Sequence, residues 1–272
     1  MTTRAKIWPP NCGCQSDYTD LGPFAEEAIG CGGDVSRTLA AVQGAMIHAD
    51  NLHRYDVSDE LRSRASRTTL TALDRMVELR ERRPGYRIGD ELPLERRSVG
   101  TCRDYALMLV ALLRAQGIAA RVRCGFAAYF KANHWEDHWL VEYQDRLGNW
   151  HWADAQMDEV HRRDLGVEFD PSDVPADQFC PSTDIAKDVL SGRIDPDLCG
   201  HGKDTGTWFV HVNLARDALA LSGWILSDWD GWRGVPVPER DERVARPRLE
   251  SLYNHLAHSG EMSGPSVTPY WK

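Results

Sequence analysis

The stretch from Thr101 to Asp154 constrains this chain most, because its periodicities change in an order that few folds accommodate. Thr101, followed three residues later by Asp104, has the form of a capping box, which satisfies unpaired N–H groups at a helix start. Ala106, Leu109, Val110 and Leu113 then repeat on one helical face, and Gly117 supplies the left-handed residue that ends such a helix. From Ala119 to Phe126 the period drops to two, with Ala120, Val122, Cys124 and Phe126 on one side. Two more strand-like runs, His138 to Gln144 and Asn149 to Asp154, flank the turn residues Asp145 to Gly148.

Helical spacing surrounds this centre. Asp34 is a good N-cap for a helix carrying Val35, Leu39, Val42 and Met46. A second helix is predicted from about Ser66 to Arg82, with Leu70, Leu73, Met76 and Val77 inward, stopped by Pro84-Gly85. Residues 161–207 show little periodicity beyond a short helical run near Ile185 to Leu190. That implies either a cover over a cleft or elements that periodicity does not reveal. Helices resume at Trp208 to Leu221 and from Pro247, read as a first helical residue, to His258. The order is helices, then helix–strand–strand–strand, then helices, which predicts an α+β fold with helical elaborations at both ends. The expected parts are 1–95, a core at 96–160, and 161–272, integrated into one domain.

Seven Cys and ten His guarantee accidental pairs, so a reactive cysteine must be argued from position. Cys102 would be the first residue of its helix, where unpaired N–H groups and the helix dipole favour a thiolate. A thiolate is the nucleophile that acyl transfer needs. In the hairpin, a turn centred between Arg146 and Leu147 places His138 opposite residue 155, or opposite Asp154 after a one-residue change of register. Cross-strand neighbours hold their Cβ atoms about 4.5–5.5 Å apart, near enough for Asp154 to orient an imidazole acting as base. His134, four residues before His138, is a competing base without a matching aspartate.

Gly100-Thr101-Cys102-Arg103-Asp104-Tyr105-Ala106 and Leu112-Leu113-Arg114-Ala115-Gln116-Gly117-Ile118-Ala119-Ala120-Arg121 resemble the core of transglutaminase-like proteins. His138-Trp139 is similar to that family's His motif, and Trp152-Ala153-Asp154-Ala155 to its Trp- and Asp-bearing strand. The resemblance covers roughly residues 96–158. It implies a papain-like arrangement, with a nucleophile helix packed on an antiparallel sheet, and the catalytic residues Cys102, His138 and Asp154. No acidic cluster resembles the calcium sites of the animal crosslinking enzymes, and no upstream Trp matches the one some members use on the oxyanion. The Cys102 N–H is one donor there, and the second is unassigned. Tyr129, Trp135 and Trp208 are candidates to line a substrate cleft, with packing in the core as the alternative.

Composition sets the outer limits. A net charge of −9 argues against a sequence-independent grip on nucleic acid. No apolar run reaches membrane-spanning length, Met1 to Pro10 lacks a signal-like apolar stretch, and an odd cysteine count does not suggest a disulfide framework. A reducing, cytoplasmic setting is therefore the expectation. Cys12, Cys14 and Cys31 lack the usual zinc spacing, so neither metal nor cofactor is expected. The expected partner is a peptide-like or small-molecule acyl substrate, with an amine acceptor if transfer rather than hydrolysis completes the reaction. Small-molecule biosynthesis fits as well as protein crosslinking. The alternative from another class is a binding module that keeps the fold without the chemistry.

Overall fold

A computed structural model describes residues 13–31, 34–63, 70–226 and 235–259. The described residues form two compact units, one drawn from 13–122 with 139–176 and the other from 123–138 with 177–259. The architecture is α+β, as the element order predicts.

The first unit begins with α1 (Ala25–Cys31) and α2 (Val35–Ala45). The Asp34 side chain accepts from the Arg37 N–H, as its N-cap role requires. Then come β1 (Met46–His48), a 3-10 turn at Ala49–Arg54, α3 (Asp59–Ser63), α4 (Ala72–Arg82), β2 (Ser98–Gly100) and α5 (Cys102–Ala115). α4 starts later than the periodicity predicts. Thr71 caps it through a reciprocal pairing with Asp74, so Leu70 precedes the helix, and residues 66–69 lie outside the described residues. Val77, expected inward, is 42% exposed, because Arg75, Met76 and Leu79 define the buried face.

α5 is the centre of this unit. Every residue from Cys102 to Leu113 is buried, with α1, α2 and α4 packed around it. Each fully buried leucine contributes roughly 1.5–3 kcal/mol relative to exposure. The helix ends in a Schellman motif: Gly117 N–H donates to Arg114 O at 3.0 Å and Ile118 N–H to Leu113 O at 2.9 Å, with Gly117 at φ 78°.

β3 (Ala120–Ala127) and β4 (Trp135–Gln144) both run from one unit into the other, followed by β5 (Trp150–Ala153) and α6 (Glu159–Leu165). All eight residues of β3 are buried, so the alternation marks two buried faces rather than one wet and one dry. Arg121 is accommodated by Glu142 at 2.7 Å. The β4–β5 ladder runs from Val141↔Ala153 to Gln144↔Trp150, one residue out of the expected register. The cause is the turn. Arg146, Leu147 and Gly148 form a three-residue loop closed by Asp145 N–H to Asn149 O at 2.9 Å, with Gly148 at φ 86°. The last recorded pair, Val141↔Ala153, falls short of His138, so its expected pairing with residue 154 or 155 is not part of the ladder.

The second unit contains the start of β4 and the end of β3, with β6 (Phe179–Pro181), α7 (Ser182–Leu190), β7 (Cys199–His201), β8 (Asp204–Thr205), α8 (Thr207–Leu221) and α9 (Glu242–Ser259). β6 is antiparallel to β3, β7 parallel to β4, and β8 antiparallel to β7. Segment 161–207, read as largely aperiodic, therefore supplies α7, three short strands and most of α6. α7 contains the helical run read near Ile185 to Leu190, whereas the other elements are too short for a window of helical or alternating spacing to detect. α9 starts at Glu242, which puts Pro247 inside the helix rather than at its first position. α7, α8 and α9 pack together around Phe126, Phe209, Leu214, Leu249 and Leu252.

The polar residues His211, Asn213 and Asp217 of α8 do not form a solvated face. Asn213 and Asp217 are 0% and 1% exposed. Asp217 takes both the Arg123 guanidinium, at 2.9 and 2.8 Å, and the Cys124 N–H at 3.0 Å. Burial pushes half-buried His211 down to about 4, and Arg248 adds to this.

Gly125 is the tightest point of the β3–β6 pair, where an added Cβ would meet Cys180 O and Phe179 Cζ, both at 2.5 Å. Gly125→Ala is expected to cost about 1–3 kcal/mol through forced backbone shifts. Urea unfolding measures this, and an unchanged midpoint would contradict the packing described.

Candidate active site

Cys102 opens α5 directly after extended Thr101 (φ −108°, ψ 176°) and is 9% exposed. Asp104 Oδ2 accepts the Thr101 N–H at 2.9 Å, so the capping pair read from the sequence is present. What the sequence did not reveal is what holds Asp104. Arg75 from α4 approaches it at 2.9 Å and Arg103 at 2.8 Å, and both arginines are 1% exposed. Burial pushes the Asp104 carboxyl up, but the two guanidiniums and the Thr101 N–H outweigh it and hold it below the usual range. Arg75 also donates to Ser98 Oγ and Val99 O, both at 2.9 Å, joining α4, β2 and the start of α5.

β1 and β2 pair in parallel, with His48 beside Gly100, two residues before Cys102. His48 is 6% exposed, and its ring is stacked, offset, with the Tyr105 ring at 6.3 Å and 22°. Its Nδ1 accepts from the Asp50 N–H at 3.2 Å. No sequence signal singles out His48, because its strand is three residues long.

Asp154 follows the last residue of β5 and is 1% exposed. Its N–H donates to Pro171 O at 2.8 Å, and its Oδ1 accepts the Gln156 N–H at 2.9 Å, an Asx turn that fixes the carboxylate. Burial pushes the Tyr105 hydroxyl far up, and the nearby Tyr55, Asp158 and Asp154 add to this. Asp154 therefore lies within electrostatic reach of the first turns of the helix that carries Cys102. Close by, the Tyr55 hydroxyl donates to Asp158 Oδ2 at 2.6 Å, and His161 Nδ1 lies 2.9 Å from Asp158 Oδ1.

His138 belongs to the other unit, at the residue where β4 passes from one to the other. It is 2% exposed, with the Phe130 ring 4.8 Å and the Tyr129 ring 5.9 Å away, both edge-on. Phe130 was not singled out in the sequence, since a loop aromatic carries no periodic signal. His134, the competing base, faces Glu136 at 3.1 Å, and His201 approaches the same carboxylate at 2.6 Å. Trp135 is half-buried against the second unit's core. Trp208 is 6% exposed, its Nε1 donates to Thr205 O at 2.8 Å, and Arg240 covers its ring at 4.1 Å. Among the described residues no group of three His, Cys, Asp or Glu could hold a metal, and Cys12 lies outside them. Among them, too, no helix is long and apolar enough to cross a membrane.

Residues 58–155 match the family model of the transglutaminase-like superfamily. This segment is transglutaminase-like. It includes Cys102, His138 and Asp154 and stops just after the last of them. A solved structure from Cytophaga hutchinsonii, described as a "Putative Cysteine Protease", is 22% identical with a TM-score of 0.35. The match covers 54% of this chain and 41% of that one, so this chain spans well under half of that protein's length. No curated protein matches. The superfamily match supports a thiol-dependent enzyme in general terms.

Asp104 holds the start of α5 through Arg75 and Arg103. Asp104→Asn strands two buried guanidiniums and is expected to cost about 3–5 kcal/mol at neutral pH. A carboxyl held low in the folded state stabilises above its unfolded value and loses that effect as pH falls. The gap between wild type and variant should therefore narrow below about pH 4. Urea titrations at several pH values test this; a gap that stays constant or widens in acid would contradict it.

Proposed function

We propose that this protein is a cysteine acyl-transfer enzyme in which Cys102 is the nucleophile, His138 the base and Asp154 the residue that orients the base. The observation that carries the reading is Cys102 at the first position of a helix buried from Cys102 to Leu113, whose cap is clamped by Arg75 and Arg103. A helix start favours the thiolate, and a rigid helix fixes where its sulfur stands. The match over residues 58–155, which includes all three residues, adds to this.

In the proposed reaction, the Cys102 sulfur bonds to the carbonyl carbon of an amide while the C=O π pair moves onto oxygen. Collapse re-forms the carbonyl and breaks the C–N bond, and the departing nitrogen takes a proton from His138. Water or a second amine then attacks the thioester, gives its proton to His138 and releases the Cys102 thiolate. Water makes the overall reaction a hydrolysis of an amide or peptide; an amine makes it formation of a new amide. The aromatic edges of Phe130 and Tyr129 on His138 supply an apolar border that suits a peptide-like or small acyl substrate.

Wild type and Cys102→Ala, incubated with a pool of glutaminyl, peptidyl and small acyl donors, are compared by intact mass. A wild-type adduct absent from Cys102→Ala is the expected result, and a product that needs added amine assigns transfer over hydrolysis. His138→Ala should slow adduct formation by about 10²–10⁴-fold. The absence of any adduct, together with iodoacetamide labelling of Cys102 at pH 6 no faster than for a thiol of pKa about 8.5, would favour a binding module instead.

A further inference from the structure

Acyl transfer needs hydrogen-bond donors aimed where the negative charge develops, and the backbone N–H of Cys102 supplies one. We propose that the Nε2–H of His48 is the second donor to the oxyanion formed at Cys102. The inference rests on Cys102 being the nucleophile, and His48 lies outside the transglutaminase-like segment at 58–155.

Three observations converge on this ring, all within one unit. First, β1 pairs with β2 so that His48 stands beside Gly100, and Gly100 leads through Thr101 into Cys102. Met46 and His48 share a side of β1 because strand side chains alternate. A Cβ on Gly100 would meet Met46 Cε at 2.8 Å and Asp104 Cβ at 2.9 Å, so this side of β1 and the first turn of α5 close around the glycine. Second, the imidazole is stacked, offset, with the Tyr105 ring. Tyr105 is three residues after Cys102, and residues at that spacing are neighbours on a helix surface, with Cβ atoms about 5–6 Å apart. The ring is therefore paired with a side chain of the turn that begins with Cys102.

Third, its tautomer is set. The Asp50 backbone N–H can only donate, and it donates to Nδ1, with Asn51 Nδ2 at 3.1 Å from the same atom. A neutral imidazole that accepts at Nδ1 carries its proton on Nε2. His48 thus presents a donor from a ring that is 6% exposed, clamped between a backbone amide and an aromatic face. In the proposed step it lends a hydrogen bond to the carbonyl oxygen as that oxygen takes up the π pair. No proton is transferred, and the bond relaxes when the carbonyl re-forms.

Two reactions of the same sulfur separate this role from packing. Alkylation by iodoacetamide displaces iodide at a saturated carbon and forms no oxyanion, whereas acylation by p-nitrophenyl acetate does. The informative variants are His48→Asn and His48→Gln. Asparagine keeps a side-chain oxygen to accept the Asp50 N–H but has no donor at the Nε2 position; glutamine places an N–H near that position. The expected result for His48→Asn is acylation slowed about 10²–10³-fold, the range for loss of one oxyanion donor, with alkylation within about twofold of wild type. His48→Gln should recover at least about tenfold of that loss, as a hydrogen-bond donor at the same place requires. Acylation of His48→Asn at the wild-type rate would overturn the proposal. So would a parallel fall in both reactions, which would mean that the ring only holds the first turn of α5. Wild type that is alkylated but never acylated at Cys102 would instead remove the nucleophile reading, and this inference with it.

Discussion

Asp104 is the residue on which the rest of the site depends. Its carboxylate sits among Arg75, Arg103 and the Thr101 N–H, and all of these groups are out of water. Taking two guanidiniums and a carboxylate into an interior is costly unless each finds partners, so the arrangement is a poor source of net stability. What it gives is position. Arg75 comes from α4 and also binds the backbone of β2, so a single guanidinium fixes the helix start relative to the strand that leads into it. A sulfur at the first position of α5 inherits that rigidity, and acyl transfer is sensitive to displacements of about 1 Å at the reacting atom.

The second unit repeats the device with other residues. Arg123 on β3 meets Asp217 of α8 through two hydrogen bonds, and the same carboxylate takes the Cys124 N–H. Nearby, Asp137 on β4 accepts from Asn213 at 2.8 Å and faces Arg216 at 3.4 Å. β3 therefore has no wet face. One side carries Val122, Cys124 and Phe126 into apolar cores, and the other carries arginines, each matched by a buried carboxylate. A buried pair broken by mutation costs far more than the pair contributes when intact, which makes such strands intolerant of single charge changes.

These interactions explain what the sequence made legible and what it hid. α5, its cap and its Schellman stop were readable because capping chemistry and helical spacing are local. α2 and its Asp34 cap were readable for the same reason, although Met46, placed on that helix by its spacing, opens β1 instead. The hairpin register was missed by one residue because Gly148 in the left-handed region extends the loop, a choice that Asp-Arg-Leu-Gly does not announce. The burial of Asp217 was not legible, because a buried Asp and a solvated Asp look alike until their partners are known. Arg123 lies 94 positions from Asp217 in the chain. Strands of two or three residues left no periodic trace at all, and with them went His48.

Asp154 and His48 show how a chain can fix a polar side chain where pairing stops. Each stands at or just past the end of a strand, and each accepts the backbone N–H of the residue two positions on: Gln156 for Asp154, Asp50 for His48. At the end of a ladder the next backbone N–H groups need partners, and a side-chain acceptor meets that need locally. The same bond removes rotamer freedom from the side chain, so the Asp154 carboxylate and the His48 imidazole are each fixed in part by a near neighbour in the chain. The two-residue spacing has no periodicity and tolerates almost any residue between, so it leaves no mark in the sequence.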